Sequence, residues 1–84
     1  MTVAKVDNAV EMAKSLVKAL VEHPEAVQVM QRGQEGAMRF CLVVHPDDVR
    51  HVIGRRGKTI SAIRTVVAAA AGRRIYLEIN GSGE

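Results

Sequence analysis

The sequence predicts one small α+β domain with the element order α-β-β-α-α-β, and three observations carry that expectation. Apolar residues near the start recur at helical spacing, and a five-residue apolar run near the middle has the composition of a core strand. A closing Ile-x-Leu-x-Ile pattern alternates with the period of a strand. No repeat or linker-like composition divides the 84 residues, so a single domain over 1–84 is expected, ordered from about 4 to 80 with a short flexible Gly-Ser-Gly tail. A chain of this size buries roughly 60–65% of its unfolded surface, which is enough for one modest core.

The first helix is expected from Asp7 to Glu22, with Val6, Val10, Ala13, Val17 and Leu20 as its buried stripe. His23-Pro24 ends it, because the residue before a proline is pushed out of the helical region. Val27 and Val29 then alternate with Gln28 and Met30 in a short strand, and Gly33 and Gly36 bracket a hairpin turn. The second strand, Ala37 to His45, contains Phe40-Cys41-Leu42-Val43-Val44, as expected for a strand central in its sheet or covered on both faces.

Pro46 opens the next helix at a position where a missing N–H costs nothing, and Asp47 and Asp48 set negative charge against the positive end of its dipole. This helix has about two turns and stops at Gly54. Another begins after Gly57, with Ile60, Ile63, Val67 and Ala70 on one face, and stops at Gly72. Ile75, Leu77 and Ile79 mark the last strand. A two-helix crossover permits parallel pairing of the second and third strands, while the first two pair as an antiparallel hairpin. The expected product is a three-stranded mixed sheet with helices packed on one face.

Charge is unevenly distributed. Acids outnumber bases before Val49, whereas Val49 to Leu77 holds Arg50, Arg55, Arg56, Lys58, Arg64, Arg73 and Arg74 and no acid. Such a field suits a polyanion as partner, although a basic face is often only solvated. One Tyr, one Phe and no Trp give no aromatic platform for stacking bases. No stretch reaches the ~20 apolar residues of a membrane span, and no signal peptide pattern is present, so a cytoplasmic location with no membrane contact is expected. The single Cys41 sits in the apolar run and reads as a small buried hydrophobe.

The informative stretch is Val52-Ile53-Gly54-Arg55-Arg56-Gly57-Lys58-Thr59-Ile60-Ser61-Ala62-Ile63, where one helix ends and another starts. Two glycines bracket the turn, and neither puts a Cβ in the way of a backbone approaching from outside. The second helix presents free N–H groups and its positive dipole end here, beside Arg55, Arg56 and Lys58. A bare G-x-x-G would be an ordinary corner between helices. Its setting, an apolar pair before and isoleucines three and six residues after Gly57, gives it weight.

That combination resembles the KH domain, an apolar pair followed by G-x-x-G and matching apolar positions, met by Val52, Ile53, Gly54, Gly57, Ile60 and Ile63. The helix and strand ahead of the β-α-α-β unit resemble the type II arrangement, and the whole chain is similar to the KhpA-like small KH proteins of bacteria. The resemblance implies single-stranded RNA as ligand, its backbone clamped at the G-x-x-G loop and its bases in an apolar groove. Carried onto this chain, Gly54 and Gly57 allow close approach, Arg55 and Arg56 contact phosphates and Lys58 supports them. Ile53 and Ile60 contribute to the groove floor or the core, and Arg50, Arg73 and Arg74 are flanking cations. It further implies an RNA chaperone or post-transcriptional regulator, a homodimer, and a heterodimer with a larger Jag-like KH protein. The alternative is a dimerisation module with little RNA affinity of its own.

Gly57-Lys58-Thr59 mimics the end of a nucleotide-binding P-loop, but the first glycine of that motif would stand where the chain has Val52. His23, His45 and His51 with the remote Cys41 make no convincing metal set, and no base is placed to activate a nucleophile. No cofactor, metal or catalytic residue is expected.

Overall fold

A computed structural model describes residues 3–34, 37–80 and 82–83, and the side chains of 8–33 and 38–80. Helix α1 (Val3–Leu20) is followed by a single 3₁₀ turn, Pro24–Ala26, and the hairpin β1 (Gln28–Gln34) and β2 (Ala37–Val43). A second 3₁₀ turn, Pro46–Asp48, leads into the short α2 (Val49–Ile53), and a third, Arg55–Gly57, into α3 (Lys58–Ala71). Strand β3 (Ile75–Ile79) closes the main sheet, and a two-residue β4 (Ser82–Gly83) folds back onto it.

The sheet has the order β1-β2-β3-β4, with β1 and β2 antiparallel and β2 and β3 parallel. The mixed three-stranded sheet read from the sequence is therefore present, with β4 as an addition at its edge. Met38, Phe40 and Leu42 of β2 and Ile75, Leu77 and Ile79 of β3 all point into the core, against Ala9, Ala13 and Val17 of α1 and Ile60, Ile63, Val67 and Ala71 of α3. Phe40 and Leu77 are almost wholly buried, and each such side chain contributes about 1.5–3 kcal/mol relative to exposure.

Both long helices are rotated a little from their expected faces. On α1 the stripe is Ala9, Ala13 and Val17, and Leu20 is exposed. On α3 the last core position is Ala71, with Ala70 only half-buried. Small residues carry these contacts, because α1 and α3 pack directly on each other and alanines let two helices approach closely.

Boundaries differ for identifiable reasons. Helix α1 ends two residues before Glu22, since the next backbone donors, Glu22 N and His23 N, bond the Asp48 carboxylate at 3.0 Å each instead of helical carbonyls. Strand β1 extends past Met30 to Gln34, so Gly33 lies in the ladder opposite Met38, while Gly36 falls outside the described residues. Strand β2 stops at Val43, but its path continues through a side chain. Asn80 Oδ1 accepts from Val44 N at 2.8 Å, and Asn80 Nδ2 donates to Val44 O at 3.0 Å. That amide aligns the exit of β2 toward α2.

Candidate nucleic-acid interface

The loop between α2 and α3 is built from three departures from right-handed helix within four residues. Gly54 has φ 76° and ψ 173°, a region open only to glycine, Arg56 has φ 57° and ψ 28°, and Gly57 has φ 73° and ψ 14°. Gly54 N closes α2 on Arg50 O at 2.9 Å, and Gly57 N turns back to Gly54 O at 3.1 Å. The chain thus reverses within four residues and holds Arg55 and Arg56, both exposed, on the outside of the turn.

The two glycines serve different needs. A Cβ on Gly54 would overlap the Thr59 side chain and crowd Thr59 N at 2.9 Å, so its missing side chain is space that the chain itself fills. A Cβ on Gly57 would meet nothing within 4 Å. Of the two, Gly57 alone presents open room to an incoming group. Thr59, which made the loop look like the end of a P-loop, is the residue packed on Gly54, and the residues before Gly54 form helix rather than strand.

Helix α3 begins at Lys58 with Gly57 as its cap, no side-chain hydrogen bond at the cap and no acid in the first turn. Lys58 N already donates to Arg55 O, and no side chain caps the N–H groups that follow it, which lie at the positive end of the helix dipole beside Arg55, Arg56 and the exposed Lys58. Arg50, exposed on α2, lines a shallow groove with Val49, Ile53 and Gly54, in which Glu22 and Asp47 form the acidic border. Ile53 is half-buried there, whereas Ile60 is 3% exposed and belongs to the core.

Arg73 and Arg74 are elsewhere. They follow the C-terminal end of α3, whose 14 residues separate them from Gly57 by roughly 20 Å at 1.5 Å per residue. Proximity within one acid-free stretch of sequence did not translate into proximity in space.

The loop is anchored from behind by Asp48, which sequence reasoning assigned only to a helix dipole. It is fully buried and joins the end of α1 to the start of α2 through Glu22 N and His23 N, with His51 Nε2 at 3.9 Å. Burial pushes its carboxyl up, but the two backbone donors, together with the charges of His23 and His51, outweigh this and hold it below the usual range. Beside it the His23 and His45 rings stack at 4.1 Å, and His45 Nδ1 accepts from Asp47 N at 3.0 Å. Two groups of potential ligands result, His23, His45 and Asp47, and Glu22, Asp48 and His51. In both, the hydrogen bonds already give the acceptor atoms of His45 and Asp48 structural partners. Cys41 Sγ donates to Glu78 Oε1 at 3.4 Å, and burial, the hydrogen bond and the charge of Glu78 push its thiol up, away from reactivity.

A mixed sheet with two helices crossing between its parallel strands, and a G-x-x-G turn joining those helices, defines a type II KH domain. The chain belongs to the KhpA/KhpB KH-domain family, whose model matches residues 10–79. A protein of Oceanobacillus iheyensis named RNA-binding protein KhpA is 42% identical over 71 residues, covering 81% of this chain and 95% of that protein. Its namesake in Streptomyces coelicolor is 42% identical over 69 residues, with 82% and 87% covered, and the one in Thermotoga maritima is 36% identical over 62 residues, with 74% and 83% covered.

Among solved structures, Era in complex with MgGDPNP and nucleotides 1506–1542 of 16S ribosomal RNA shares the fold with a TM-score of 0.59 at 20% identity over 84% of this chain. A variant of Aquifex aeolicus Era bound to GDP.AlF4- gives 0.61 at 18% over 94%. The match spans 28% and 31% of those two chains, so the likeness concerns one domain of each and its fold. No described helix is long and apolar enough to cross a membrane.

Proposed function

We propose that the chain binds single-stranded RNA by clamping its backbone at Gly54-Arg55-Arg56-Gly57, and acts in the cytoplasm as an RNA chaperone or post-transcriptional regulator. The observation that carries this reading is the uncapped, acid-free start of α3 under three cations, with open room at Gly57. Phosphates meet the first-turn N–H groups of α3 beyond Lys58 N, Arg55 and Arg56 neutralise them, and Lys58 and Arg50 extend the positive field to either side. Bases lie along the α2 groove against Ile53, with Ile60 supporting it from the core, so no aromatic stack is needed at this end. Relatives named as RNA-binding proteins support the ligand class.

Charge reversal tests the clamp. Arg55→Asp with Arg56→Asp, folded by circular dichroism, should reduce affinity for short single-stranded RNA by about a hundredfold or more. The slope of log affinity against log salt should fall by about 0.7 for each lost phosphate contact. Unchanged affinity would refute the clamp.

A second property is favoured by one observation. Met12 and Val66 are exposed and, with half-buried Leu16 and Ala70, line an apolar groove where α1 meets α3. We read this as the face for self-association, and for pairing with a larger Jag-like KH protein. Should the wild-type chain bind single-stranded RNA only weakly and Met12→Glu with Val66→Glu convert a dimer to monomer in sedimentation, the dimerisation-module reading replaces the clamp.

A further inference from the structure

The sheet has a second face that no described helix covers. Alternation places Met38, Phe40 and Leu42 inward, so Arg39 and Cys41 face outward on β2, and Tyr76 and Glu78 do so on β3. Register then lines up Arg32 opposite Arg39 on the antiparallel pair and Arg39 beside Tyr76 on the parallel one. Three adjacent strands therefore contribute the row Arg32–Arg39–Tyr76, and Arg74, two residues before Tyr76, extends it at the sheet's end.

This row has an unusual composition for an exposed sheet face. Like charges directly opposite each other on neighbouring strands destabilise a sheet, and only one of the two is offset, by Glu78 at 3.2 Å from Arg39. Arg32 and Arg74 have no ion-pair partner among the described residues and are exposed. Tyr76 is 45% exposed, whereas the chain's other aromatic, Phe40, is sealed in the core. An arginine pair of which only Arg39 is offset by an acid, a third cation and one open ring together present what a nucleotide needs, phosphate neutralisation and a surface to stack on.

We propose that this outer sheet row is a second contact for single-stranded RNA, with a base stacked on Tyr76 and the neighbouring phosphates on Arg32, Arg39 and Arg74. It lies at the end of α3 remote from the Gly54–Gly57 loop, so a strand long enough to reach both ends gains from it and a short one does not. The inference rests on single-stranded RNA being the ligand, but it does not require the loop to be the clamp. Arg74 acts here, with Arg32 and Arg39, rather than beside the loop.

The test uses oligouridine of two lengths, about four nucleotides, as a KH loop clamps, and about twelve. Each is titrated by fluorescence anisotropy at several salt concentrations against the full chain and its variants. Arg32→Gln with Tyr76→Val keeps strand-compatible residues on the face. The pair should lower affinity for the long strand about five- to thirtyfold, lower its salt slope by about 0.7, and leave the short strand unchanged. Tyr76→Phe should retain the long-strand affinity, which a merely electrostatic face would not distinguish from Tyr76→Val.

Equal affinity of wild type and the Arg32→Gln, Tyr76→Val variant for the long strand overturns the proposal and leaves the row to an acidic protein segment. An equal loss at both lengths overturns it too, as a general defect. Long-strand binding that survives charge reversal at Arg55 and Arg56 but is lost when the row is also changed separates the two sites: the row then holds and the clamp fails.

Discussion

The two ends of α3 hold positive charge by opposite means. At its start, Arg55, Arg56 and Lys58 lie within four residues of sequence and are presented by a backbone with three positive φ angles in four residues. At its far end, Arg32, Arg39 and Arg74 come from separate parts of the chain and stand at or beside regular strands whose inner side chains fill the core. The difference teaches where each site is vulnerable. The loop depends on backbone conformation and on the groups that enforce it, whereas the sheet row depends on side chains over a backbone that the core stabilises.

The sharpest way to break the comparison is Gly54→Ala. A Cβ there must enter the space of Thr59 while the residue occupies a conformation reserved for glycine, so the cost should be about 3 kcal/mol or more, read from urea unfolding. Gly57→Ala is strained only by its left-handed conformation and should cost about 1–2 kcal/mol. Thr59→Ala in the Gly54→Ala background should return part of the loss. Equal costs at the two glycines would show that Thr59 does not fill the space behind Gly54. On the sheet row, by contrast, Arg32→Gln should change stability by less than about 0.5 kcal/mol.

Asp48 is the loop's remote anchor, and its removal should have the next largest effect. Asp48→Ala leaves Glu22 N and His23 N without their acceptor inside the protein, and the melting temperature should fall on the order of 10 °C. Affinity for short RNA should fall with it, because α2 and the loop lose their tie to α1. The carboxyl is held below its ordinary value in the folded chain, so it contributes stability above the unfolded-state pKa of about 3.9, and that contribution is lost as pH falls through the folded value. Melting temperature should therefore drop below about pH 4 more steeply in the wild type than in Asp48→Asn. Glu22, His23 and His51 surround the group and are present in both proteins, which isolates its titration.

Legibility of the sequence follows the same division between local and distant causes. Strands β2 and β3 were readable because alternation is a property of neighbouring residues, and Gly72 was readable because it caps the helix it follows. The expected core face of α1 included Ala13 and Val17 but not Ala9, whose small side chain adds little hydrophobic signal yet is fully buried, and it included Leu20, which is exposed. Asp48 had an adequate local explanation at a helix start. Its actual partners are backbone N–H groups 25 and 26 residues away, which carry no mark of their own in a sequence. Thr59 was hidden behind its resemblance to a P-loop, and the bonding of Asn80 to Val44 depends on a parallel register that only the folded sheet defines. The cations of the loop could be found because they are close in sequence, and the row could not because register assembles it.

The smallest effect expected is also the cleanest separation of backbone from charge. Arg56 holds a left-handed conformation without being glycine, at a cost to folding of about 1 kcal/mol. Arg56→Ala and Arg56→Gly remove the same charge, so both should weaken short-strand RNA binding equally and reduce the salt slope equally. They should differ in stability. Alanine keeps the strain, while glycine relieves it and adds freedom to the unfolded chain, so the glycine variant should be the more stable of the two by about 0.5–1 kcal/mol in urea unfolding. Equal stabilities would mean that Arg56 is not held left-handed in solution. Unequal affinities would mean that the conformation, and not only the charge, recognises the phosphate.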